Sequence, residues 1–264
     1  MKPMKFVLTG LVVTLFLIIN LNAYAYNRIV VLAPAAGDIL KKLDVADRVV
    51  GVTKHMRGFK NAKKVGSHIR PNIEIISSLK PDLIIISSVR FFNKNLQNHI
   101  KAKIYKYNPY TLSQILSAIQ QMGKMFNKEK RADELIVKLK AELKRVKKLK
   151  RKPKVVFEIM QIPYIVAGKR DIINDIIEKA GGINIVNVNK KHVRYSYEKV
   201  LAAKPEIYLY QVGPMNKNPV PPQKREYLKD LKAKFIKIDE RSFSRPNTKS
   251  FDNVLKLNKI FMEY

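Results

Sequence analysis

The chain of 264 residues contains no cysteine. Disulfides, thiolate metal sites, a cysteine nucleophile and a lipid-modified cysteine behind an export signal are therefore excluded. Acidic residues are scarce, 21 Asp plus Glu against 52 Lys plus Arg, for a formal net charge of +31. That imbalance points to anionic ligands or surfaces, or to a compartment of basic proteins. The sequence also lacks Gly-x-Ser-x-Gly, His-Glu-x-x-His and any phosphate-binding glycine loop, which argues against an enzyme. The pair Gly181-Gly182 ends a helical pattern and opens none, so it is no nucleotide fingerprint. A basic module for polyanions or nucleic acid rests on charge alone. With 46% hydrophobic residues, the chain can bury a substantial core.

What is present includes a repeat. His68-Ile69-Arg70-Pro71-Asn72-Ile73-Glu74 leads through Leu79-Lys80-Pro81 into the apolar run 83–86, and His192-Val193-Arg194 with Tyr197-Glu198 leads through Lys204-Pro205 into 207–210. Residues 68 and 192, 74 and 198, 80 and 204, and 81 and 205 are each 124 positions apart. In each copy a Glu in a first helical turn complements the helix dipole. Lys-Pro then stops the helix, because proline disfavours the α conformation before it, and a strand follows. The His and Arg of each copy are expected in the loop before the helix. Two copies half a chain apart imply two lobes with equivalent faces.

At the N-terminus, Lys2 and Lys5 precede an apolar segment, 6–21, and Ala23-Tyr24-Ala25, the pattern of a secretory signal peptide over residues 1–25. The remainder is expected in a periplasm, freely soluble and not a lipoprotein. Strands at 28–32, 49–52, 83–87 and 104–107 alternate with helical patterns, one opened by the capping box Thr111-Leu112-Ser113-Gln114. This predicts an N-terminal lobe at 26–126 with a parallel, helix-flanked sheet. Ala132, Leu135, Ile136, Leu139, Leu143, Val146 and Leu149 form an apolar stripe at helical spacing. It predicts one rigid helix across most of 127–152, a rod of roughly 35 Å joining the lobes. A C-terminal lobe follows at 153–264, with strands at 155–159 and 235–238, a loop at 241–245 and a helix at 251–261. The fold class is α/β, two Rossmann-like lobes with mainly parallel sheets.

Arg28 to Pro34 (RIVVLAP), Asp47 to Val52 (DRVVGV), Val65 to Glu74 (VGSHIRPNIE), Leu79 to Ile86 (LKPDLIII), Ala180 to Asn184 (AGGIN), Tyr197 to Leu201 (YEKVL) and the Arg245-Pro246 turn together resemble the periplasmic substrate-binding proteins of ABC importers for vitamin B12, ferric siderophores and haem, the class III type with a helical backbone. The resemblance covers essentially the whole chain after the leader. It departs at Gly37-Asp38 and at Asn247, where relatives have other residues. It implies two lobes with a shallow cleft that closes only slightly, no intrinsic cofactor, and no nucleic acid as partner. The implied function is capture of an iron chelate, a ferric siderophore or haem, by a monomer that delivers it to an inner-membrane permease dimer with its ATPase. A cobalt corrinoid is the alternative cargo. Glu74 and Glu198, one per lobe, would meet arginines of the permease.

Expected ligand contacts are His55, Arg57, His68, Arg70, Arg90, Tyr164, His192, Arg194, Met215, Arg241 and Arg245. His68 and His192 are the candidate metal-facing pair, since neutral imidazole is a common metal ligand. The arginines suit carboxylate, catecholate or propionate oxygens. Tyr164, Tyr195, Phe91, Met215 and Phe243 offer flat apolar contacts for a macrocycle.

Overall fold

A computed structural model of the protein describes residues 26–98 and 100–264; the expected leader, 1–25, lies outside the described residues. In the first lobe β1 (Ile29–Val31), β2 (Val49–Val52), β3 (Lys63–Lys64), β4 (Leu83–Ile86) and β5 (Lys103–Lys106) form a sheet of order β3-β2-β1-β4-β5. Every pairing in it is parallel. Helices α1 (Ala36–Lys42), α2 (Ile73–Ser78) and α3 (Lys94–Asn98) connect the strands. Two helices, α4 (Leu112–Met125) and α5 (Glu129–Lys144), then lead to the second lobe. That lobe holds β6 (Lys154–Met160), β7 (Ile165–Ala167), α6 (Ile172–Lys179), β8 (Ile183–Asn184), β9 (His192–Arg194), α7 (Tyr197–Ala203), β10 (Ile207–Val212), β11 (Lys234–Asp239), α8 (Glu240–Phe243) and α9 (Lys249–Phe261). Its sheet order is β11-β10-β6-β7-β9, with β8 paired to β6.

Past its histidines the repeat has a physical counterpart in caps, helix stops and strand clamps. Asn72 caps α2 by accepting from the N–H of Ile75, and Ser196 caps α7 by accepting from that of Lys199. Lys80 and Lys204 both adopt left-handed backbone, φ 44° and 49°. Thus the residue before each proline leaves the right-handed helix by turning left-handed, a conformation that costs a non-glycine residue roughly 1–2 kcal/mol. The acid after each Lys-Pro then clamps the first strand of its lobe. Asp82 accepts from the N–H groups of Asn27 (2.7 Å) and Arg28 (3.0 Å), and Glu206 from that of Lys154 (2.9 Å).

Strand alternation divides the core. Ile29 and Val31 of β1, with Val155, Phe157 and Ile159 of β6 and Ile207 and Leu209 of β10, enter one cluster shared by both lobes. Val30 and Leu32 turn to a second cluster, and Val156, Tyr208 and Tyr210 to a third. The shared cluster also takes the apolar faces of α4, α5 and α9. On α4 the apolar face is buried at Leu112, Ile115, Ile119 and Met122, and, as the capping box predicts, Thr111 caps the helix while Gln114 reaches back to the N–H of Tyr110.

Three expectations are corrected. The helix predicted across most of 127–152 is 16 residues long, Glu129–Lys144, or about 24 Å. Beyond it the amide of Asn258 on α9 takes over the backbone of Lys147, accepting from its N–H and donating to its carbonyl, both at 2.9 Å. Lys144, Arg145, Lys147 and Lys148 also crowd like charges at helical spacing. Second, residues 192–194 form strand β9, antiparallel to β7, so the second His-Arg stretch is not a loop. The second sheet is still mainly parallel, as expected, with β7 inserted antiparallel to β6. Third, most of 241–245 lies in the short helix α8, capped by Asp239, which accepts from the N–H of Ser242.

Behind β6 lies an ion pair the sequence reading missed. Arg225 donates to both oxygens of Glu158 at 2.6 and 2.9 Å, with side chains 1% and 0% exposed. Tyr208 donates to the same carboxylate at 2.5 Å. Replacing Arg225 by Met strands a buried carboxylate, and we expect chemical denaturation to report a loss of about 3–5 kcal/mol. A loss below about 1 kcal/mol would show that the pair carries no structural burden.

Candidate ligand cleft

Parallel strands deliver their following loops to one end of each sheet, and in a two-lobed α/β protein those ends face a crevice. Here the loops after β1 and β2 meet the segment after β11. A pocket of about 260 Å³ is lined by Asp38, Lys41, His55, Met56, Arg57 and Phe59 from the first lobe, and by Arg241, Arg245, Asn247 and Lys249 from the second. Five of these side chains are cationic. Asp38 is spent on a bond across the lobes, its carboxylate accepting from the hydroxyl (2.6 Å) and N–H (3.2 Å) of Thr248. The first-lobe wall is fixed by Lys41, which donates to the carbonyl of Arg57 at 2.8 Å and lies 4.8 Å from the Phe59 ring centre. Gly37 permits this packing, since a Cβ there would stand 2.6 Å from Met56 Cε.

His68 lies in the loop after β3, and its ring meets Phe91 edge-on at 6.2 Å. Partial burial, then the positive charges of Arg245 and Lys191, hold its imidazole below the ordinary value of 6.5. Those two cations belong to the other lobe, so its positive charge reaches His68 across the cleft. Arg245 is itself partly buried, which lowers its own basicity, with Glu240 opposing. Burial raises the Glu240 carboxyl, which accepts from the N–H of Met215 at 2.7 Å.

The structure thus gathers His55, Arg57, Arg241 and Arg245 at one pocket, and the charge of Arg245 reaches His68. Arg90 stacks 5.7 Å from the Phe91 ring centre, and Ile69 and Val89, next to them in sequence, are 47% and 54% exposed. Arg70 and Arg194 are exposed, and Met215 keeps 41% of its surface. Other expected contacts lie elsewhere. Tyr164 is a buried core residue, 7% exposed, its hydroxyl bonded to that of Tyr208 and its ring stacked on Tyr197. Phe243 is buried against Phe157. His192 is not the mirror image of His68: pairing of β9 with β7 sets its Nε2 at 3.3 Å from the buried carboxylate of Asp171 in its own lobe. Asp38, Lys41, Met56, Phe59, Lys191, Asn247 and Lys249 were missed. The two positions where the sequence departs from its relatives, Gly37-Asp38 and Asn247, pointed at this pocket without revealing why.

Glu74 and Glu198 are each the second residue of a helix, α2 and α7, and both are exposed. Among the described residues no group of three or more His, Asp or Glu side chains converges as a metal site. Among them, too, no helix is long and apolar enough to cross a membrane.

Residues 29–218 match the family described as periplasmic binding protein. The high-affinity heme uptake system protein IsdE of Staphylococcus aureus (strain bovine RF122 / ET3-1) is 31% identical over 160 residues, covering 57% of this chain and 54% of the relative. The alignment therefore spans about half the length of that relative. The solved structure of S. aureus IsdE complexed with heme aligns with a TM-score of 0.78 at 24% identity, over 89% of this chain and 98% of that one. An ABC transporter substrate-binding protein from Listeria monocytogenes EGD-e gives 0.77 at 20% identity, over 90% and 99%. The periplasmic vitamin B12 binding protein BtuF of Vibrio cholerae gives 0.72 at 20%, over 90% and 97%. These structural likenesses show the fold.

Since the folded value for His68 lies below the unfolded one, the folded chain resists protonation there. Its contribution to stability is complete above pH 6.5 and falls away as pH drops through that value towards the folded one. An NMR titration of His68 is expected to give a midpoint below 6.5, moved upward by Arg245→Gln. A midpoint at or above 6.5 would place the imidazole outside the cationic cleft.

Proposed function

Because the chain belongs to the periplasmic binding protein family, we propose that it captures an iron chelate between its lobes, haem or a ferric siderophore, and delivers it to an ABC-type permease and its ATPase. The observation that carries this reading is the pocket between the lobes bearing Lys41, Arg57, Arg241, Arg245 and Lys249, with the charge of Arg245 and Lys191 also reaching His68. Haem is a flat apolar macrocycle with two carboxylates and an iron centre. Guanidinium and ammonium groups suit its carboxylates. Exposed Ile69 and Val89, with Phe91 nearby, suit its ring. A neutral imidazole suits its iron.

Of the two histidines first matched by sequence, His68 is the one we assign to the metal, because His192 is engaged by Asp171. The cation-rich rim equally suits a ferric catecholate, and the likeness to a B12-binding protein keeps a corrinoid as second reading. We take residues 26–126 and 153–264 as the lobes and 127–152 as the segment between them. The place of action is the periplasm, and the working unit a monomer.

Titration with hemin tests the cargo. Visible absorption is expected to show saturable 1:1 binding with a shifted haem band. His68→Ala should remove the shift and weaken binding by about tenfold or more, whereas His192→Ala should leave the band in place. An unchanged spectrum in His68→Ala removes the imidazole from the iron. Ferric catecholate and cobalamin, titrated alongside, identify the cargo if hemin fails.

Delivery has a separate check. The double change Glu74→Lys and Glu198→Lys should abolish uptake into permease-containing vesicles while hemin affinity stays at the wild-type value. Uptake that persists removes both glutamates from docking.

A further inference from the structure

We propose that the second lobe carries a rigid apolar platform, formed by Ile162, Val220 and Tyr227 around Gln161, that seats against the permease beside Glu198. The inference rests on the docking reading above and adds to it a surface with no equivalent in the glutamate pair. Ile162 is 80% exposed, Val220 47% and Tyr227 40%. Single exposed apolar residues need no explanation, but grouped ones mark interaction sites.

The grouping is built by one side chain. Gln161 Oε1 accepts from the N–H of Val220 at 2.8 Å, its Nε2 reaches the Tyr227 hydroxyl at 3.5 Å, and its own N–H donates to Asn216 Oδ1 at 3.0 Å. Its carbonyl accepts from Tyr197 Oη at 3.4 Å. The turn after β6, the loop after β10 and the turn at 226–228 are thereby locked together. Beneath them Arg225 donates to the Val220 carbonyl at 2.7 Å while paired with Glu158. A fully buried ion pair is expensive to desolvate, and here it anchors loops whose apolar tips stay largely or partly exposed. Fixed loops have little conformational freedom to lose on contact, which favours binding.

Continuity with Glu198 identifies the occupant. The Tyr227 ring lies 3.9 Å from that of Tyr197, which in turn lies 4.1 Å from Tyr164. Tyr197 is the first residue of α7 and Glu198 the second. Platform and carboxylate are therefore carried by one stack. They fit a protein surface that presents apolar side chains beside a cation. In the first lobe the comparably exposed Ile69 and Val89 flank His68 and Phe91 at the cleft, so the platform makes docking asymmetric between the lobes.

Since the chain has no cysteine, Ile162→Cys places its only thiol at the platform, ready for a solvatochromic dye. The dye is expected to shift to the blue with proteoliposomes containing the permease complex, and not with protein-free vesicles of the same anionic lipid. A dye at Val137→Cys, 67% exposed on α5, should stay unshifted in both. The double variant Ile162→Ser, Val220→Ser should bind the proteoliposomes about tenfold more weakly, with an unchanged melting temperature and hemin affinity. An equal shift on protein-free vesicles makes the platform a lipid contact and overturns the proposal. Wild-type affinity of the serine variant overturns the platform alone, provided the Glu74→Lys, Glu198→Lys variant loses binding. If that glutamate variant binds as the wild type does, the docking reading itself fails and the platform loses its premise.

Discussion

The constraint on which the rest depends is that the two sheets share one apolar core. Alternate residues of β1, β6 and β10 enter the same cluster from opposite lobes, and α5 packs on α9 as α4 does on α6. Among the described residues four hydrogen bonds cross the seam: Asp38 accepts from both the hydroxyl and the N–H of Thr248, Tyr107 Oη donates to the Pro246 carbonyl at 2.6 Å, and the Leu112 N–H donates to Asp175 at 2.7 Å. A hydrogen bond contributes about 1 kcal/mol net, while each large apolar side chain kept from water contributes about 1.5–3 kcal/mol. Packing therefore decides the separation of the lobes, and the hydrogen bonds set its register. Opening such an assembly wide would expose that core, so the cleft is preformed.

A preformed cleft fixes its electrostatics in advance. Cations from both lobes surround the pocket, and the only carboxylate lining it, that of Asp38, is committed to Thr248. Positive charge then does two things at once. It suits an anionic cargo, and it adds to partial burial in holding the His68 imidazole below its ordinary value. The net charge of +31 sets the general sign of the molecule, but the charge of the pocket comes from which cations meet at the seam. The exposed glutamates of α2 and α7 are exceptions to that sign, and the caps that hold their helices come from the repeated segment itself.

Much of this was legible in the sequence because local chemistry fixes it. The 124-residue offset emerges as paired caps at Asn72 and Ser196, paired left-handed lysines and paired strand clamps. The apolar stripe of α5 was readable from period alone, and the start of α4 from its capping box. What failed depended on distant partners. Asn258, more than a hundred residues away in sequence, ends the helical path at Lys147. The antiparallel β7 turns a predicted loop into β9 and hands His192 to Asp171. Tyr164 looked like a rim aromatic because a loop precedes it, yet Tyr208 and Tyr197 hold it in the core. The Gln161 hub and the Glu158–Arg225 pair carried no local pattern at all, since their members are brought together from separate strands and loops.

The shared core can be tested by measuring the separation of the lobes directly. With no native cysteine to interfere, spin labels at Ser77→Cys on α2 and Lys199→Cys on α7 report that distance by pulsed electron resonance. One rigid body predicts a single narrow distribution whose mean moves by less than about 2 Å when hemin is added. A broad distribution in the free protein, or a displacement well beyond that on binding, would show that the lobes swing independently and would contradict the account.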